Sequence, residues 1–102
     1  MDKLYKIAEG LFKRFPNGVE PFQMVTRLLE ECGEVASEVN HFEGSGVKSL
    51  KHGEPSKDAL AGEIKQAMVA LIQIAKYYSV QEELDKSIDD SLRRLKEENL
   101  ID

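Results

Sequence analysis

FQMVTRLLEECGEVASEVNHFE, residues 22–43, is the stretch whose reading decides the fold. Its apolar residues Phe22, Val25, Leu28, Leu29, Cys32, Val35, Ala36 and Val39 recur every three or four positions, the period of one face of an α-helix. Pro21 precedes it and suits a first helical turn, where a missing N–H leaves no bond unmade. The spacing predicts a helix from about Pro21 to Phe42. Cys32 projects near the middle of its apolar arc, so a buried thiol is expected there rather than a nucleophile.

Three more helices follow from the same periodicity. Leu4, Ile7, Ala8, Leu11, Phe12 and Phe15 mark one from Asp2 to Phe15, which Pro16-Asn17-Gly18 then breaks. A third begins after Pro55, with Ser56 as N-cap and Asp58 in the first turn, and continues to about Tyr78. It is apolar over a wide arc (Met68, Val69, Ala70, Leu71, Ile72, Ile74), which demands cover on more than one side. A second copy of the chain would supply that cover, so a helical homo-oligomer is expected. A fourth opens on Ser79-Val80-Gln81-Glu82, which has the form of a capping box, with Leu84, Ile88, Leu92 and Leu95 as its buried stripe. Met24 and Met68 are read as core fillers. No stretch alternates apolar and polar residues as a strand would. The reading is a single all-α domain over residues 1–102.

Composition narrows the function classes. At 102 residues the chain has room for one modest core. Nineteen acidic residues against fourteen basic give a net charge of −5, the wrong sign for a general binder of nucleic-acid polymers. No apolar run approaches the roughly 20 residues of a membrane span, and the N-terminus has no signal-peptide pattern. One cysteine excludes an internal disulfide. A soluble, cytoplasmic protein is expected.

The chemistry resides in carboxylates. Glu31 and Glu34 are neighbours on one helix face, with Glu31 at the edge of the apolar arc. The third helix carries Glu63 in a similar place, followed three residues later by Gln66. Like charges at this spacing cost helix stability unless something neutralises them, and nearness to a buried face raises the cost. A hard divalent cation would remove it, and oxygen-only ligands suit Mg²⁺, or Mn²⁺ as the alternative. The bland reading is a set of solvated surface glutamates. Other candidates read as structural: His41 and His52 share no metal-type spacing, and Gly44 and Gly46 belong to no P-loop. The connection from Glu43 to Pro55 is the one long link and is locally basic through Lys48, Lys51 and His52.

Residues 22–43, with Glu31-x-x-Glu34 inside Glu30-Glu31-x-Gly33-Glu34, resemble the first catalytic helix of the MazG-like all-α nucleoside triphosphate pyrophosphohydrolases. The run Ala61-Gly62-Glu63-Ile64-Lys65-Gln66 is similar to that family's second motif, E-x-x-D, with Gln66 in place of the Asp. The likeness extends over roughly residues 20 to 95. It implies a four-helix MazG-like bundle completed by homo-oligomerisation, as a homodimer or homotetramer. It also implies Mg²⁺-dependent cleavage of a nucleoside triphosphate, or a related nucleotide, to monophosphate and pyrophosphate. On this reading Glu31, Glu34 and Glu63 are catalytic metal ligands and Gln66 is a neutral fourth ligand, since an amide oxygen coordinates without bringing charge. Lys48 and Lys51 are candidates for the substrate phosphates. The missing charge leaves a second reading open, a catalytically silent helical module that binds nucleotide or a protein partner. A third is a helical oligomer with no site.

Overall fold

Four helices, α1 (Asp2–Arg14), α2 (Pro21–Phe42), α3 (Lys57–Tyr77) and α4 (Gln81–Glu97), account for most of the chain in a computed structural model that describes residues 1–45 and 53–102. No strand occurs among the described residues, so the all-α expectation holds. Lys48, Lys51, Gly46 and His52 lie outside the described residues.

Local sequence explains the helix ends. The Ser56 hydroxyl accepts from the Ala59 N–H at 3.2 Å and caps α3, as its position suggests. Pro21 sits in the first turn of α2, and the Glu20 N–H donates to Gln23 Oε1 at 3.3 Å. The start of α4 corrects the sequence reading. Ser79 does not cap it: the helix opens after Val80, which makes no side-chain cap bond. Ser79 instead adopts a left-handed φ of 56° and closes α3. Its N–H donates to Lys76 O, and the Val80 N–H reaches back to Ala75 O. That pair of bonds is a Schellman closure, which satisfies carbonyls that the end of α3 would otherwise leave open. The same closure ends α2 at Gly44 and α4 at Asn99.

Helix α3 is the hub. Both α1 and α2 pack on it without packing on each other, and α4 touches α3 alone. The core is correspondingly thin: Ala8 from α1, Met24 from α2, and Val69, Ala70, Ile72 and Ala75 from α3. Met24 is the core residue expected. Met68 is not, at 43 % exposure, because it lies on the face of α3 turned away from α1 and α2. Cys32 is exposed rather than buried, since no helix of the same chain covers its side of α2. The apolar stripe of α4 is likewise open: none of its residues is buried, because α4 leaves α3 after the connection instead of lying along it.

The single chain is therefore an open array rather than a closed four-helix bundle. Its radius of gyration is 16.7 Å, against about 13 Å for a compact domain of this length. No described helix is long and apolar enough to cross a membrane.

Candidate functional site

Because α1 and α2 both lie on α3 but do not meet, a groove runs between them with α3 as its floor. A cavity of about 400 Å³ occupies it. Val69, Ala70 and Gln73 of α3 form the base, and Leu11 and Phe15 of α1 with Val19 of the following loop form an apolar wall. Arg27 and Glu31 of α2 and Gln66 of α3 complete the lining. The loop wall is tied down by Arg27, whose guanidinium donates to Gly18 O at 3.4 Å. Gly18 makes this turn with φ 78°, a conformation that costs a residue without Cβ little.

Glu63 of α3 and Glu34 of α2 both lie near enough to Glu31 to act on its charge. Glu31 is half-buried, and its pKa is raised above the ordinary value of 4.5. Desolvation is the largest cause, followed by the negative charges of Glu63, Glu34 and Glu30; Arg27 opposes them. Glu31 on α2 thus feels Glu63 on α3 more strongly than its own helical neighbour Glu34. Packing of α2 on α3, not helix periodicity, creates that encounter. Glu63 is half-buried and Glu34 exposed. Gln66 is exposed at the rim and shares the cavity with Glu31.

That nearness stops short of a finished metal centre. Among the described residues, no three acidic, imidazole or thiol groups stand in an arrangement that would hold an ion. The donor set does fit a hard cation in kind: every candidate ligand is an oxygen, and Glu31 is a carboxylate crowded by like charges.

Sequence reasoning passed over several polar residues that the fold places inside. Gln73 is 5 % exposed and lines the cavity. Its signal was visible: Gln73 interrupts an otherwise apolar run from Met68 to Ile74 on a helix whose arc is buried. Among the described residues the buried side-chain polar atom without a partner is instead the Tyr5 hydroxyl. Arg27, one helical turn before Glu31, also escaped notice as a cation at the site. Glu38 and His41 are buried on α2. The His41 Nε2–H donates to Gly53 O at 2.5 Å and so joins the end of α2 to the segment leading into α3. On α4, Arg93 is engaged in surface pairs with Asp90, at 3.2 Å, and Glu97, at 3.8 Å.

Comparison with family models, with curated proteins and with solved structures finds no match to this chain.

Proposed function

We propose that the protein is a Mg²⁺-dependent nucleotide pyrophosphohydrolase of the MazG-like type, with Gln66 a neutral member of its ligand set. One observation carries the reading: the negative charge of Glu63, on α3, bears on Glu31, on α2, which lines a cavity together with Gln66. Like charges brought together by tertiary packing are unfavourable in the absence of a counter-charge. A metal–polyphosphate substrate provides one.

Glu31, Glu34 and Glu63 would hold Mg²⁺, with Gln66 Oε1 as an uncharged donor. When bound, the ion supplies neutralisation of phosphate charge and a lowered pKa for its water. The reaction consumes one water at the α-phosphorus, breaks the bond to the bridging oxygen and releases pyrophosphate. Arg27 stands on the cavity side of Glu31, where it offsets part of the negative field and offers a cation to a phosphate oxygen. Leu11, Phe15 and Val19 form the apolar side of the cavity, opposite Arg27 and Glu31.

The oligomer belongs to the same proposal. Exposed apolar residues form stripes on three helices: Val25, Leu29 and Val39 on α2, Ile64, Met68 and Leu71 on α3, and Ile88, Leu92 and Leu95 on α4. The chain's accessible surface is 7691 Å², whereas a compact monomer of 11.5 kDa exposes roughly 5,800 Å². The excess is of the size that one partner buries in an obligate dimer. Two copies that cover each other's stripes would close the bundle.

The test is pyrophosphate release from a panel of ribo- and deoxyribonucleoside triphosphates with Mg²⁺ and with Mn²⁺. Release that EDTA and Glu34→Ala both abolish is the expected result. A panel with no release overturns the enzyme. The scattered acids, with no three gathered among the described residues, favour a second reading, a silent nucleotide-binding module. It predicts nucleotide binding without turnover.

A further inference from the structure

We propose that the groove between the ends of α1 and α3 is a docking site for residues 97–102 of a second copy of the chain, so that two copies exchange the ends of their α4 helices. The inference rests on the two-copy assembly above and names where one copy seats on the other.

This groove is separate from the one beside the carboxylates. It encloses about 390 Å³ between Phe12 of α1, Pro16 and Val19 of the following loop, and Lys76 and Tyr77 of α3. The two aromatic rings, the proline and the valine make it apolar, and Lys76 adds a positive charge. A second cation stands close in sequence: Arg14, two residues before Pro16, holds its guanidinium over the Phe15 ring at 5.5 Å from the centroid. In a chain of net charge −5, an apolar groove with cations at its edge selects an occupant that is both apolar and acidic. The stretch Glu97-Glu98-Asn99-Leu100-Ile101-Asp102 has that character. Leu100 is 66 % exposed, and Asn99, with φ 58°, turns the chain out of α4.

The same chain cannot fill its own groove. Tyr77 lies just before the start of α4, and the 17 residues of α4 carry its other end about 25 Å away. A second copy does reach the groove when two α4 helices lie antiparallel. That pairing sets the open stripe of Ile88, Leu92 and Leu95 against its own counterpart. It also sets the acidic first turn of each helix, Glu82 and Glu83, against the basic last turn of the other, Arg94 and Lys96, whereas a parallel pair sets acid against acid. Leu100 lies as far beyond the middle of the stripe, between Ile88 and Leu92, as Val80 lies before it. An antiparallel two-fold through that middle therefore delivers Leu100 and Ile101 of one copy to the end of α3 in the other, beside Tyr77, and brings Asp102 towards Lys76. The exchange is reciprocal, as two-fold symmetry requires.

Disulfide trapping reads this contact directly in the full chain, with Cys32→Ser removing the native thiol. Tyr77→Cys and Leu100→Cys together should give, on oxidation by dissolved oxygen, a covalent dimer in non-reducing denaturing electrophoresis. Either cysteine alone should give several-fold less. No bond, or a bond closed within one chain, overturns the docking. Charge reversal supplies a second reading that leaves the apolar contacts in place. Lys76→Glu should weaken the dimer about fivefold or more in sedimentation, with helix content unchanged in circular dichroism, and Asp102→Lys in the same chain should restore most of the loss. A double variant as weak as Lys76→Glu alone overturns the assignment of Asp102 to Lys76. Trapping without pyrophosphate release would leave the docking standing and remove the enzyme. Release without trapping would do the reverse.

Discussion

Replacing Glu31 with Gln should make the metal-free protein more stable at neutral pH, which is unusual for a half-buried residue at a site. The wild-type carboxylate is opposed by desolvation and by Glu63, Glu34 and Glu30, with Arg27 compensating only in part. At a partly solvated position each like-charge contact costs a few tenths of a kcal/mol, so the substitution should gain about 1 kcal/mol in all. For a domain of this size that raises Tm by about 4–8 °C. The pH dependence has a definite sign. Glu31 has a raised pKa in the fold, so between 4.5 and that raised value the folded state holds more protons than the unfolded one. Stability from this group is therefore greatest below 4.5 and falls as pH rises through the folded pKa. The advantage of Gln should shrink towards zero near pH 4. The assay is thermal denaturation of both proteins in EDTA, at one protein concentration, at neutral pH and near pH 4. Mg²⁺ should then reverse the order: at ten times its Kd it stabilises wild type by about 1.4 kcal/mol, and the variant much less. A variant that loses stability at neutral pH would refute the reasoning, for it would mean that Arg27 satisfies Glu31 and no cation is called for.

Three further outcomes follow from the structure. Gln66→Asp restores a fourth negative charge at the cavity rim, so calorimetry should find Mg²⁺ bound several-fold more tightly, with lower stability in EDTA; equal affinities would place Gln66 outside the ligand set. Leu29→Lys, on the open stripe of α2, should shift the assembly towards monomer in light scattering with little change in helix content, and a monomeric wild type would remove the oligomer. Ser79→Gly relieves the left-handed strain at the end of α3 and should add up to about 1 kcal/mol in chemical denaturation, whereas no gain would mean that the Ser side chain stabilises that turn.

Much of this molecule is legible from local pattern alone. The period of apolar residues, Pro21 and Ser56 place α1, α2 and α3 to within a residue or so, because helix formation and capping depend on neighbours within one turn. The glutamates stood out for the same reason, since Glu31 and Glu34 share a face by arithmetic. Where two local signals competed, pattern failed. Ser79 has the form of an N-cap, yet the carbonyls at the end of α3 claimed its backbone first. Apolar periodicity also marked Cys32, Met68 and the α4 stripe as covered without revealing by what; the single chain leaves them open.

Only tertiary structure brought Glu63 to Glu31, because the two lie on helices whose relative rotation no single-helix pattern specifies. The groove has the same origin: α1 and α2 reach α3 at separate places, and the space between them belongs to neither. Gln73 joins the two levels. Its sequence marks it as the odd polar residue in an apolar run, but the cavity it lines exists only once three helices have docked.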